Sequence, residues 1–102
     1  MFRLQPNPTF RAKVSIPVPG EASVKVEFEF RHKPRDELVS YLQGTAGRED
    51  LDVLLDIVVR WWEVDAEFSR ESLSAMLQNF PGSGPAIIGT YAKELADARL
   101  GN

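Results

Sequence analysis

The chain has 102 residues, 43% hydrophobic and 26% charged, with a formal net charge of -3. That is the make-up of one folded domain: too short for two, too apolar for a disordered tail, and without a run near the roughly 20 apolar residues of a membrane span. It has no Cys and one His, which excludes disulfides, thiolate chemistry and a histidine-rich metal site within one chain.

Met1-Phe2-Arg3-Leu4-Gln5-Pro6 has no apolar core of the kind a secretory leader needs, so no signal is expected. The charge is divided. Residues 1–35 hold seven basic and three acidic side chains, a net of +4, and residues 36–102 hold five and twelve, a net of -7. Two solvated surfaces of opposite sign account for this. The sharper alternative is head-to-tail association between copies.

In chain order, Gln5-Pro6-Asn7-Pro8 reads as an extended lead-in. Phe10, Ala12, Val14 and Ile16 then alternate with Arg11, Lys13 and Ser15, and Val24, Val26, Phe28 and Phe30 alternate with Lys25, Glu27 and Glu29. Period two in adjacent segments predicts a hairpin with one buried face. Pro19-Gly20 suits the central positions of a type II turn. A lone hairpin is marginal in water, so its apolar face needs helices or another chain.

The rest reads as helices. Pro34 opens the first, with Leu38, Tyr41 and Leu42 on one face and Gly44 as its stop. The second is expected from about Arg48 to Trp62. Ser69 is the N-cap of the third, with Glu71 in its first turn and a stripe of Leu73, Met76, Leu77 and Phe80. Pro81-Gly82 ends it. Ser83 or Gly84, then Pro85, opens a fourth, with Ile87, Ile88, Tyr91, Leu95 and Ala98 on one side and Lys93 and Asp97 as a weak surface pair.

Read as a helix, the second element is unusually apolar. Leu51, Leu54, Leu55, Val58 and Trp62 share one face, and Val53, Ile57 and Trp61 form a second line beside it. A central, fully packed helix explains the wide arc. The functional alternative is that Val53, Ile57 and Trp61 face a partner, since Trp is enriched at interface anchors. On this helical reading Trp62 carries the stability and Trp61 the binding.

Catalytic candidates fall away one by one. His32 lies between Arg31 and Lys33 in a connection and reads as solvated. Asp50, Asp52 and Asp56 lack the glycine, the spacing and the terminal glutamate of a calcium loop. Glu63, Asp65, Glu67 and Glu71 read as a solvated acidic stretch rather than a cation site. Gly82-Ser83-Gly84 is followed by Pro85-Ala86 rather than Lys, so it is not a phosphate loop, and it is not a nucleophile elbow. The expectation is therefore no enzyme, no catalytic residue, no cofactor and no metal site.

A set of segments in a fixed order carries a resemblance. These are Phe2 to Phe10 leading into Ala12-Lys13-Val14-Ser15-Ile16-Pro17, the return strand followed by Arg31 to Leu38, Trp61-Trp62-Glu63-Val64 with Glu67-Phe68-Ser69, Leu77-Gln78-Asn79-Phe80-Pro81-Gly82, and Ala86-Ile87-Ile88 with Tyr91 and Glu94-Leu95. Across nearly its whole length the chain resembles the small tail assembly chaperones of tailed bacteriophages and prophages, in their short form. The resemblance implies a protein of the bacterial host cytoplasm that holds the tape measure protein while tail tube protein polymerises around it, and that is absent from the finished virion. It assigns no family binding residue to a numbered position.

The expected fold is α+β: an N-terminal antiparallel β-hairpin (region 1–33) followed by about four α-helices (region 34–102), as one domain over 1–102. The expected partners are the tape measure and tail tube proteins, with no membrane and with weak, salt-sensitive association between copies. The alternatives are a small nucleic-acid-binding regulator, which the negative charge and the mixed signs on the hairpin oppose, and a structural tail or adaptor protein.

Overall fold

The computed structural model describes residues 1–96, in the order β1 (Thr9–Ile16), β2 (Val24–Arg31), α1 (Arg35–Gln43), α2 (Asp50–Leu55), β3 (Val58–Trp62), α3 (Arg70–Asn79) and α4 (Ser83–Ala96). The class is α+β, with the expected N-terminal hairpin and four helices among the described residues. Asp97 and Ala98 lie outside the described residues.

The hairpin follows from its period. β1 and β2 pair antiparallel from Thr9 opposite Arg31 to Ile16 opposite Val24. Ala12, Val14, Ile16, Val26, Phe28 and Phe30 are buried. At the turn the Glu21 N–H donates to the Val18 carbonyl at 3.0 Å, and Gly20 has a φ of 79°. That angle is what the third position of a type II turn requires, and a glycine adopts it without strain.

The helix expected over Arg48 to Trp62 stops at Leu55. The Ile57 N–H donates to the Leu54 carbonyl at 3.1 Å, the chain turns, and Val58–Trp62 becomes a third strand antiparallel to β2. The sheet order is β1-β2-β3. Two forces favour the strand. Val58, Val59, Trp61 and Trp62 are β-branched or aromatic, the types that fit a pleated surface. The second edge of β2 also carries main-chain groups that need partners, and the Arg31 N–H finds one in the Ile57 carbonyl at 2.8 Å.

The register of β3 shifts between Glu29 and Phe30, so that Arg60 faces Glu29 but Val58 faces Phe30. Val59 is thus the extra residue of a bulge. The bulge places both Val58 and Trp61 on the buried face, three residues apart. That spacing imitates a helix.

The helices and the inner face of the sheet share one core, from Val14, Phe28 and Phe30 to Leu54, Leu73 and Ile87. α4 packs on β1, and α2 packs against α3, α4 and β3. Tyr91 of α4 is fully buried, with its ring centroid 5.2 Å from that of Phe30, 6.0 Å from Phe10 and 6.1 Å from Tyr41.

The helix ends are those the sequence predicts. Pro34 precedes α1 and Gly44 follows it. Ser69 caps α3: its hydroxyl accepts from the Ser72 N–H at 3.0 Å, while the Ser72 hydroxyl accepts from the Ser69 N–H at 2.8 Å. Ser69→Ala should therefore cost about 1 kcal/mol of stability. The expected readout is a lower urea midpoint with an unchanged slope.

Candidate partner-binding site

The outer face of the sheet is polar. Arg11, Lys13, Ser15, Lys25 and Arg60 are exposed there, and Glu27 and Glu29 are half-buried between them. Arg11 Nε lies 3.7 Å from Glu27 and Arg60 Nε 3.1 Å from Glu29. The Arg11 guanidinium also covers the Trp62 ring at 3.7 Å from its centroid. Exposed pairs of this kind contribute little stability. They do neutralise the arginines and cover the one aromatic ring on this face, so it offers no stacking platform for bases.

The three residues expected to face a partner lie inside. Val53 is 4% exposed, Ile57 0% and Trp61 7%. The Trp61 indole N–H donates to the Ala66 carbonyl at 2.8 Å, and its ring meets Phe28 and Phe68 edge-on at centroid distances of 6.0 and 5.3 Å. Val53, Ile57 and Trp61 therefore do not form one line on a single helix. The turn at Asp56-Ile57 and the bulge in β3 send Ile57 and Trp61 to the core, Val53 is buried in α2, and Trp62 rather than Trp61 is the half-buried tryptophan. Of the three, Val53 borders an opening, described next.

That opening is a recess of about 220 Å³ between α2, α4 and the connection after α1. Pro85 and Ile88 supply apolar surface from α4, and Val53, 4% exposed, borders it from α2 with Leu54 buried behind, while Thr45 and Asp50 stand at its polar side. Gly84 makes the geometry workable. A Cβ there would meet Asp50 Oδ2 at 2.8 Å, so the absent side chain lets the carboxylate lie against the first turn of α4, where the helix dipole favours an anion. Gly82 is tight for a different reason, since a Cβ there would meet the Pro17 ring at 3.0 Å. Ser83 is fully buried with its hydroxyl toward the Met76 carbonyl at 3.5 Å, a structural position rather than a nucleophile's.

The surroundings of the recess are acidic. Asp52 pairs with Arg70 at 3.2 Å and Asp56 with Arg48 at 2.9 Å. Glu49 and Asp50 pair with no cation among the described residues. At about 220 Å³ the recess lies below the several hundred Å³ usual for a small-molecule site. It suits one or two apolar side chains of another protein, beside a negative rim. Sequence reasoning missed it because Asp50 and Gly84 are brought together only by the packing of α2 on α4.

His32 is half-buried between β2 and α1, where its main-chain N–H donates to the Pro8 carbonyl at 2.9 Å. Among the described residues no three His, Asp or Glu side chains gather as a metal site would require, and no helix is long and apolar enough to cross a membrane. Before β1, Phe2 and Leu4 are exposed.

A family model described as phage tail assembly chaperone matches the chain over residues 1–102. No curated protein and no solved structure matches it.

Proposed function

Because the chain belongs to the phage tail assembly chaperone family, we propose that it binds the tape measure protein in the host cytoplasm and promotes assembly of the tail tube around it, without catalysis. The family match over the whole length carries this reading. The recess between α2 and α4 supports a specific mode of contact. An amphipathic helix of the tape measure protein inserts an apolar side chain against Val53, Pro85 and Ile88, and a basic residue beside it meets Glu49 and Asp50. Tail tube protein is the second partner. Copies of the chaperone also associate weakly by charge, the basic first third of one copy against the acidic remainder of another, an attraction that salt screens.

Co-purification with tape measure fragments tests the reading. Ile88→Lys removes an apolar wall and adds a like charge to the client's basic residue, so capture should weaken about tenfold or more, the equivalent of roughly 1.4 kcal/mol. Lys13→Glu, on the outer face of the sheet, should leave it within a factor of two or so. If no fragment is captured, the proposed client is wrong. Equal effects of the two variants would remove the recess from the contact. Finding the chain in purified virions by mass spectrometry would favour a structural tail protein instead.

A further inference from the structure

Two features of the molecule are unmatched, and they are complementary. The segment before β1 carries Phe2 at 87% and Leu4 at 91% exposure, with Arg3 between them. The α2–α4 recess carries apolar surface without an occupant among the described residues, beside Glu49 and Asp50. Arg3, for its part, pairs with no acid among the described residues.

We propose that the Phe2-Arg3-Leu4 segment of one copy seats in the α2–α4 recess of a second copy, with Arg3 against Asp50. This rests on the reading of the recess as an anchor for side chains. Charge favours it: the segment belongs to the basic first third of the chain and the recess to the acidic remainder. Exposure favours docking between copies over docking within one, since Phe2 and Leu4 stand clear of their own molecule.

The contact is heterologous, because segment and recess are different surfaces, so each copy offers one of each and the association continues from copy to copy. Its area is small, which makes it weak and reversible. The segment and the client's anchor also compete for one recess. Self-association then holds the apolar sites covered until a client displaces the neighbouring copy.

Sedimentation of the full chain tests this with two variants that each remove one half of the contact. Phe2→Ser with Leu4→Ser removes the anchor, and Ile88→Lys blocks the recess. Wild type should associate progressively up to millimolar concentration at low salt. Each variant alone should associate at least about tenfold more weakly, while their equimolar mixture should form dimers and nothing larger, since it contains one intact segment and one intact recess per pair. Asp50→Asn, at an exposed position, guards against misfolding of Ile88→Lys. It should weaken association severalfold at low salt and have no effect at high salt.

Four results would overturn the proposal. They are wild type remaining monomeric at millimolar concentration, either variant associating like wild type, a mixture that stays monomeric, and burial of Phe2 independent of concentration, which would place the segment in its own recess. Capture of a tape measure fragment by the Phe2→Ser, Leu4→Ser variant separates the two readings. Capture with undiminished self-association sinks only the segment's role. Loss of capture with self-association that obeys the variants sinks only the client's.

Discussion

Trp61→Ala should destabilise the protein by about 3–5 kcal/mol, and Trp62→Ala by about 1. Trp61 is 7% exposed and wedged between Phe28 and Phe68. Phe28 is itself fully buried in the middle strand, so the surroundings collapse poorly and a cavity persists. The indole N–H is also satisfied by the Ala66 carbonyl, which holds the loop after β3 against the strand. Trp62 stands on the polar face, half-buried under the Arg11 guanidinium, a contact of about 0.5–1 kcal/mol at an exposed site. Against a total stability of about 5–15 kcal/mol the first loss is severe and the second is modest. Urea unfolding of both variants measures the difference. This is the reverse of what a helix over Arg48 to Trp62 requires, so a larger loss from Trp62→Ala would remove β3 and restore that helix.

Much of the fold was legible because local chemistry and tertiary structure agree. Alternation and Pro19-Gly20 specify the hairpin, and Pro34, Gly44, Ser69 and Pro81-Gly82 mark helix ends that the structure keeps. β3 was not legible by periodicity. It has five residues, follows a six-residue helix almost directly, and its bulge brings Val58 and Trp61 inward at helical spacing. Its residue types, four of five β-branched or aromatic, were the contrary signal. The recess was hidden for another reason. Asp50 reads as one acid on a helical face and Gly84 as a helix opener, and neither residue alone announces that the two approach so closely as to exclude a methyl group. Contacts between residues far apart in sequence leave no local pattern to read.

Above pH 10 the protein should lose stability steeply, with both tyrosines ionising together with unfolding. Tyr91 is fully buried, and its hydroxyl donates to the Arg31 carbonyl at 2.7 Å, tying α4 to the end of β2. Burial pushes its phenol up to about 12, with the Glu37 carboxylate acting in the same direction. Tyr41 donates to the Val53 carbonyl, and burial pushes its phenol up as well, helped by Asp56. A phenolate can donate to neither carbonyl. The unfolded chain releases these protons near pH 10, while the folded chain keeps them, so the unfolded state binds fewer protons and stability falls as pH rises. The contribution is complete below about pH 10 and is lost through the range up to about 12. Phenolate absorbance and far-ultraviolet circular dichroism should change in one coincident transition. Tyr91→Phe should cost about 1 kcal/mol at neutral pH through the lost hydrogen bond. It should also make the alkaline slope of stability shallower, because one of the two retained protons is gone. Phenolate appearing near pH 10 with the circular dichroism intact would mean that the two hydroxyls are open to solvent and do not lock α1 onto α2 and α4 onto the sheet.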